Sequence, residues 1–253
     1  MTLSEGTRLA VLIDADNATA SVLKELLEEV ARFGTASVRR AYGDWTTQKL
    51  SGWKEQLHRH AIQPVQQFSY TTGKNATDSA LIIDAMDLLH LGSVDGFCLV
   101  SSDSDFTRLA TRLREAGKVV YGLGERKTPE AFRAACNRFI FFEVLKQPAV
   151  LDKDDPPGVE AINLREELTQ AIAAMSRDDG WSALSAVGSQ IAKNNPSFDA
   201  RLHGFPKLGE LVRRQPYLEV KDLANGSGSM HRYVRIRREV RDATRRKVRI
   251  EVD

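Results

Sequence analysis

The stretch RLAVLIDADN, residues 8–17, is the clearest indication of the architecture of the first half of this chain. Its apolar run predicts a buried β-strand, and an acidic pair, Asp14 and Asp16, follows the run at once. A second apolar run, which ends near residue 101, leads in the same way into Asp103 and Asp105. The carboxyl ends of parallel strands meet at one edge of a sheet. We therefore expect these acids to converge in a crevice at that edge.

Strand and helix patterns alternate over the first 146 residues. Apolar runs predict strands at 8–13, 37–42, 62–68, 96–101 and 119–123, and helical periodicity predicts helices that include 20–33 and 79–91. This alternation is typical of an α/β domain with a mostly parallel sheet flanked by helices.

The segment 147–161 holds three of the eight prolines together with clustered acids, which indicates a linker. Beyond it, residues 162–238 predict three short helices and a β-hairpin, the pattern of a small winged-helix domain. Asn163 is expected to cap the first helix, whose apolar stripe consists of Leu164, Leu168, Ile172 and Met175. Residues 239–253 form a basic tail.

The composition is that of a folded protein, since 42% of the residues are hydrophobic and 28% are charged. We find no apolar run of about 18 residues and no signal-peptide pattern, so we expect a cytoplasmic protein without a membrane partner. Two cysteines are too few for a disulfide framework or a zinc site.

The charge is distributed unevenly along the chain. Residues 230–253 contain nine Lys or Arg and four acids, hence 9 − 4 = +5, whereas the whole chain carries +2, which leaves 2 − 5 = −3 for the rest. An acidic body with a basic end suggests that one part handles a cation and another contacts a polyanion. A solvated charged tail is the alternative.

A third acidic site comes from Asp78, at the front of a helix whose buried face is predicted to hold Leu81, Ile82, Ala85 and Leu89. Asp78 should thus face the sheet. Carboxylates that cluster repel one another, and a hard divalent cation removes that cost. The absence of Cys or His from the motifs favours Mg²⁺ or Mn²⁺ over Zn²⁺.

Each of these residues also has a purely structural interpretation. An Asp after a strand often only caps a helix or forms a turn, although three such sites make coincidence less attractive. Asn17 either caps a helix or orients a carboxylate or phosphate, and Ser101 and Ser102 are either turn hydroxyls or phosphate donors. On the Asp78 helix, Asp84 is left out of the site and Asp87 is predicted to be solvated.

Three motifs together resemble the NYN domain, a branch of the PIN-like nuclease superfamily: LIDADN at 12–17, KNATDSAL at 74–81 and VSSDSDF at 100–106. The resemblance covers residues 8–145. It implies a parallel sheet of five or six strands and metal-dependent ribonuclease activity. By matching position, the acidic cluster would be Asp14, Asp78, Asp103 and Asp105, with Asn17 as polar companion.

The region after the linker, with WSALSAVG at 181–188 and FDARLHGFPKL at 198–208, resembles an OST-HTH, or LOTUS, domain. Such domains are associated with RNA binding and with protein contacts. The resemblance therefore implies either an RNA partner or a protein partner for this region.

Phosphodiester hydrolysis needs an activated water and stabilised phosphoryl charge, which cations held by the four acids can supply. Basic groups near the crevice are expected to attract the substrate, namely Lys74, Arg108 and, on the second strand, Arg39 and Arg40. Trp45 either stacks a base or anchors a loop.

In the second hairpin strand, Arg235 and Arg237 alternate with apolar residues, and Arg241 and Arg245 extend this basic character into the tail. A basic wing and tail would contact phosphates. Three functions remain open: a Mg²⁺- or Mn²⁺-dependent ribonuclease with an RNA-binding or partner-binding module, a non-catalytic adaptor with an ion-binding pocket, and a nuclease that acts on DNA.

Overall fold

The computed structural model describes residues 6–68, 76–145, 158–224 and 230–237. The chain divides into two compact units, Met1–Gln147 and Pro148–Asp253. Lys74, Arg241, Arg245 and the rest of the basic tail lie outside the described residues.

The first unit contains a six-stranded sheet in which every pair of neighbouring strands is parallel, which confirms the predicted α/β class. The strand that the residue patterns did not predict is the last one, at the sheet edge. The strands are β1 Arg8–Asp14, β2 Thr35–Gly43, β3 Gln63–Gln66, β4 Gly96–Val100, β5 Val119–Gly124 and β6 Arg138–Phe141.

The strand order is β3-β2-β1-β4-β5-β6, so the chain first builds the sheet outward on one side of β1 and then on the other. This reversal makes the junction of β1 and β4 the topological switch point, where a crevice opens at the carboxyl ends of the strands. Asp14 ends β1, and Asp103 lies three residues beyond the end of β4.

Five α-helices connect these strands, and α3 packs against β1 and β2. The helices are α1 Leu23–Val30, α2 Trp53–Arg59, α3 Ala76–Leu91, α4 Thr107–Glu115 and α5 Glu130–Ala135. The buried residues of α3 are Thr77, Asp78, Leu81, Ala85 and Leu88, whereas the predicted Ile82 is only partly buried. Asp78, Leu81, Ala85 and Leu88 follow helical spacing, so Asp78 shares the apolar face as expected. The last turn buries Leu88 rather than the predicted Leu89, which is only partly buried.

The second unit is a small domain of helices and an antiparallel sheet, as predicted. Its elements are α6 Gly158–Ala174, β7 Ser182–Ala183, α7 Leu184–Asn194, α8 Leu208–Arg213, β8 Leu218–Ala224 and β9 Met230–Ile236. The strand order is β7-β9-β8, and the long β8–β9 pair forms the wing of a winged helix.

The predicted stripe of α6 is confirmed, because Leu164, Leu168 and Ile172 are buried and Met175 packs against the same core. The prediction that Asn163 caps this helix is wrong. The helix begins five residues earlier, at Gly158, so Asn163 lies inside it. A capping pattern within a helix is not distinguishable by local sequence from one at its start.

Candidate functional site

Three carboxylates from two motifs meet beside the switch point. Asp78, Asp103 and Asp105 each offer one carboxylate oxygen, and these three oxygens lie within 4.8 Å of one another. Asp78 comes from the first turn of α3, while the other two come from the loop after β4. Three oxygen ligands at this spacing suit a hard divalent cation.

Asp14 lies next to this group as a fully buried carboxylate. Its Oδ2 accepts hydrogen bonds from the Ser101 hydroxyl at 2.7 Å and from the Asn17 side-chain amide at 2.8 Å. Burial raises the pKa of Asp14, and these two hydrogen bonds oppose the rise because they stabilise the charged form. The structure thus brings Asp14 to the crevice, where its oxygens are oriented by protein donors.

The pKa of Asp78 is raised by burial and by the acids that lie close to it. Burial, followed by the negative charges of Asp14, Asp103 and Asp105, raises the pKa of Asp78 to about 6. Above that pH Asp78 therefore adds a negative charge, on a largely buried side chain, to a cluster whose charges repel one another. A cation would relieve this repulsion, and the donor set of carboxylate oxygens fits Mg²⁺ or Mn²⁺.

Asp103 caps a helical turn and also contributes a carboxylate oxygen to the acidic cluster. Its Oδ1 accepts a hydrogen bond of 2.9 Å from the backbone N–H of Asp105 and so caps the short 3₁₀ turn Ser104–Phe106. The backbone N–H of Asp103 in turn donates to the Ser101 hydroxyl oxygen at 3.1 Å. The two interpretations that the sequence left open for Asp103 are therefore compatible.

The structure shows which groups the side chains of Asn17 and Ser102 contact. The Asn17 amide orients the Asp14 carboxylate, and Thr19 instead caps the following helical turn. The Ser102 hydroxyl accepts the backbone N–H of Glu125 at 2.9 Å and so joins the loops after β4 and β5. Ser102 is thus engaged as a loop hydroxyl.

Sequence reasoning expected Asp16 at the crevice but missed two side chains that bind to it, Thr77 and Lys49. Asp16 accepts a hydrogen bond of 3.0 Å from the hydroxyl of Thr77, which is buried directly before Asp78. The Lys49 ammonium donates to the backbone carbonyl of Asp16 at 2.9 Å and so lies at the same loop. The available signal for Thr77 was adjacency, since it directly precedes the assigned residue Asp78.

The basic residues expected near the crevice have different environments. Arg108 is exposed in the first turn of α4, just after the acidic loop. Arg40 is not a free cation, because its guanidinium pairs with Asp84, which also accepts the Tyr42 hydroxyl. Arg39 donates to the carbonyls of Ala36 and His60, at 3.2 and 3.1 Å.

In the second domain the wing arginines are also engaged. Arg235 forms an ion pair of 2.6 Å with Glu219, and Arg237 donates to the Leu218 carbonyl at 3.2 Å. Arg235 therefore carries a paired charge rather than the free charge that the alternating pattern suggested.

In the first domain, Trp45 donates its indole N–H to the Val65 carbonyl at 3.0 Å, which anchors its ring to β3.

The family model of the NYN domain matches residues 8–145, a range that contains the whole acidic site. This chain belongs to the NYN domain family. NYN domains are part of the PIN-like nuclease superfamily, so the first domain is nuclease-like. The model of the OST-HTH/LOTUS domain matches residues 162–230 of this NYN protein, which gives it an RNA-binding type of second module.

Solved structures resemble parts of this NYN protein. A crystal structure of a protein of unknown function from Vibrio parahaemolyticus is 18% identical, covers 56% of this chain and 96% of its own, and has a TM-score of 0.47. A solution structure from Chromobacterium violaceum is 45% identical over 30% of this chain and 80% of its own, with a TM-score of 0.26. An uncharacterised Nitrosomonas europaea protein is 28% identical over 36% of this chain and 90% of its own, with a TM-score of 0.29.

No curated protein matches this NYN protein. Among the helices of the described ranges, none combines the length and the apolar character that crossing a bilayer requires.

Proposed function

We propose that this NYN protein is a ribonuclease that depends on Mg²⁺ or Mn²⁺ and hydrolyses RNA phosphodiester bonds at the crevice of its first domain. The observation that carries the proposal is the approach of the carboxylate oxygens of Asp78, Asp103 and Asp105 to within 4.8 Å of one another at the switch point. Membership of a nuclease-like family supports the same chemistry.

In this proposal Asp14, Asp78, Asp103 and Asp105 hold the cation. A bound Mg²⁺ or Mn²⁺ would stabilise charge on the phosphoryl oxygens and lower the pKa of a water molecule. Asn17 and Ser101 fix the orientation of the Asp14 carboxylate through their hydrogen bonds. Lys74 and Arg108 attract the phosphates of the substrate, and Ser102 stiffens the loop that carries Asp103.

The second domain supplies RNA binding in this proposal, and the residues 147–161 link it to the nuclease-like domain. We assign the first domain to residues 1–146, the second to residues 162–238 and the basic tail to residues 239–253. The +5 charge from residue 230 onward supports contact between the chain's end and a polyanion.

The decisive experiment compares labelled single-stranded RNA, single-stranded DNA and duplexes, each with Mg²⁺, Mn²⁺ or EDTA. We expect RNA cleavage with either cation and none with EDTA. Asp103→Asn should lower the rate at least about a hundredfold, because the variant loses a charged ligand. Asn is as good a helix cap as Asp, so the turn after Asp103 should persist.

The matched control is Asp87→Asn, which removes an exposed carboxylate from α3 and should leave the rate unchanged. RNA binding without cleavage in any cation would favour the adaptor, and cleavage of DNA alone would favour a DNA nuclease. Either result would contradict the proposal.

A further inference from the structure

The sheet of the second domain has one face on the core and one face outside it. Along β9, Val234 is fully buried and Ile236 packs against the same core, whereas Tyr233 and Arg235 alternate with them. Since successive side chains of a strand point to opposite sides, Tyr233 and Arg235 belong to the outer face. Lys221 joins them, because it lies directly opposite Tyr233 in the β8–β9 pair.

Two aromatic rings and three cations contact one another on this face. The Lys221 ammonium lies 4.1 Å from the centroid of the Trp181 ring and 5.7 Å from that of Tyr233. The Arg235 guanidinium carbon lies 4.5 Å from the Trp181 centroid, and that of Arg177 lies 6.0 Å from the Tyr233 centroid. We call these five residues the ring-cation face.

The ring-cation face is accessible to solvent and carries three cations. Trp181, Lys221, Tyr233 and Arg235 are each partly exposed, and Arg177 is exposed. Glu219 balances Arg235, but among the described residues neither Lys221 nor Arg177 has a carboxylate within 4.0 Å. Lys221 and Arg177 thus form no ion pair among these residues, although the Asp179 carboxylate lies nearby and accepts the backbone N–H of Trp181 at 3.0 Å.

A surface that combines aromatic rings with cations favours some nucleic-acid ligands over others. Every nucleobase has a flat π-surface that stacks on an aromatic ring, and every nucleotide of a single strand adds a negative phosphate. A duplex keeps its bases stacked inside, so it can offer the phosphates but not the base surfaces. A face that has both partly exposed rings and cations therefore complements an unpaired strand better than a duplex.

We propose that the ring-cation face binds single-stranded RNA, with bases stacked on Trp181 and Tyr233 and phosphates held by Lys221 and Arg177. This inference rests on the proposed function, in which the substrate is RNA. It places the main contact of the second domain on the outer face of the sheet. The sequence pattern also indicated Arg235, but together with Arg237 and the tail rather than with the two rings.

The test uses the full chain with Asp103→Asn, so that RNA is bound without being cut, and a labelled single-stranded RNA of about ten nucleotides. Trp181→Ala and Tyr233→Ala should each weaken binding by at least about fivefold, the lower end for loss of one stacked base. Trp181→Phe and Tyr233→Phe should retain most of the affinity, since each keeps a ring. These Phe variants also keep the test valid if an Ala variant fails to fold.

The contribution of the two cations is measured separately, from the salt dependence of RNA binding. Lys221→Gln and Arg177→Gln should each lower the slope of log affinity against log salt concentration by about 0.7, as expected for one phosphate contact to a single strand. Arg165→Gln is the matched control, because Arg165 is also exposed and lies 4.9 Å from the ring centroid of Tyr217, a ring outside this face. It should leave both affinity and slope unchanged.

Tryptophan fluorescence gives a signal that a merely structural role would not produce. RNA should quench the emission of Trp181, and Trp181→Phe should remove that part of the quench while binding persists. Unchanged affinity, salt slope and quench in the ring and cation variants would overturn the inference and leave a protein partner as the better candidate. Cleavage of the same RNA with Asp103 intact is measured in parallel, so failure of the face and failure of the nuclease proposal are distinguishable.

Discussion

The Ser101 hydroxyl donates a hydrogen bond of 2.7 Å to Oδ2 of Asp14, which ends the neighbouring strand. The same hydroxyl oxygen accepts the backbone N–H of Asp103 at 3.1 Å. One buried side chain therefore joins the acid of the first motif to the loop that carries the acids of the third. This link lies at the switch point, where β1 and β4 are adjacent.

Ser101→Ala should remove both hydrogen bonds of the hydroxyl, the one to Asp14 and the one from the backbone of Asp103. Asp14 would lose one of its donors while it stays buried, which should cost about 1–3 kcal/mol of folding free energy. A displaced Asp14 should slow RNA cleavage by about ten- to a hundredfold, because small misplacements are costly in active sites. Melting temperature and cleavage rate measure the two effects. Ser104→Ala, at an exposed position of the same motif, is the control, and equal rates for both variants would exclude a positioning role for Ser101.

The raised pKa of Asp78 predicts how pH affects stability in EDTA. Asp78 has a pKa of about 6 in the folded protein against an ordinary value of 3.8, so its protonated form favours the folded state. The stability that it contributes is present below about pH 4 and is lost as the pH rises through about 6. Asp78→Asn should thus stabilise the protein by about 1–3 kcal/mol above pH 7 and have little effect near pH 4.

Thermal unfolding at several pH values, in EDTA, measures this difference. Asp87→Asn removes an exposed acid from the same helix and should show no such pH dependence. A wild-type melting temperature that does not fall between pH 4 and pH 7 relative to Asp78→Asn would contradict the electrostatic account.

A bound divalent cation should offset the electrostatic repulsion among the acids of the cluster and so stabilise the folded protein. A cation that binds only the folded protein at about a hundred times its dissociation constant stabilises it by about 3 kcal/mol. We expect Mg²⁺ or Mn²⁺ to raise the melting temperature of the wild type more than that of Asp78→Asn. An equal rise in both proteins would show that the ion binds without Asp78.

The hydrogen bond from Thr77 to Asp16 ties the start of α3 to the loop after β1. Thr77→Val keeps the shape of the side chain but leaves Asp16 without this donor, which should cost about 1 kcal/mol. Cleavage should slow because Asp78 is the next residue in the helix, and Thr77→Ser, which keeps the hydroxyl, should restore the rate. A rate in Thr77→Val equal to that of Thr77→Ser would count against the coupling.

Asp84 should affect stability without affecting catalysis. It accepts from both Arg40 and Tyr42, and its side chain is 23% exposed, so Asp84→Asn should destabilise the fold by about 1–2 kcal/mol. The cleavage rate at saturating cation should stay within about twofold of the wild type. Calorimetry and the RNA assay check the two parts, and a large loss of rate would place Asp84 in the catalytic machinery.

The alternation of strands and helices was predictable because it is written in local periodicity. A strand repeats every two residues and a helix every 3.6, so the apolar runs and stripes identified five of the six parallel strands and the apolar stripes of α3 and α6. The edge strand β6 was missed although Phe139, Ile140 and Phe141 are apolar, because an apolar run this short does not distinguish a strand from a helix segment. The true start of α6 at Gly158 carried no clear local signal. Short elements and helix ends depend on what packs against them.

The positions of the acids after β1 and β4, and the orientation of Asp78 toward the sheet, were predictable because strand ends and helix faces follow from local spacing. The hydrogen-bond partners of the acids in this domain depend instead on how distant segments of the chain pack together. The partners of Asp16 and Asp84 lie 61 and 44 residues away along the chain, and no local pattern encodes contacts at that separation. The same reason applies to Arg235. Its alternation with apolar residues indicated a free cation, but in the folded hairpin it lies opposite Glu219 and pairs with it.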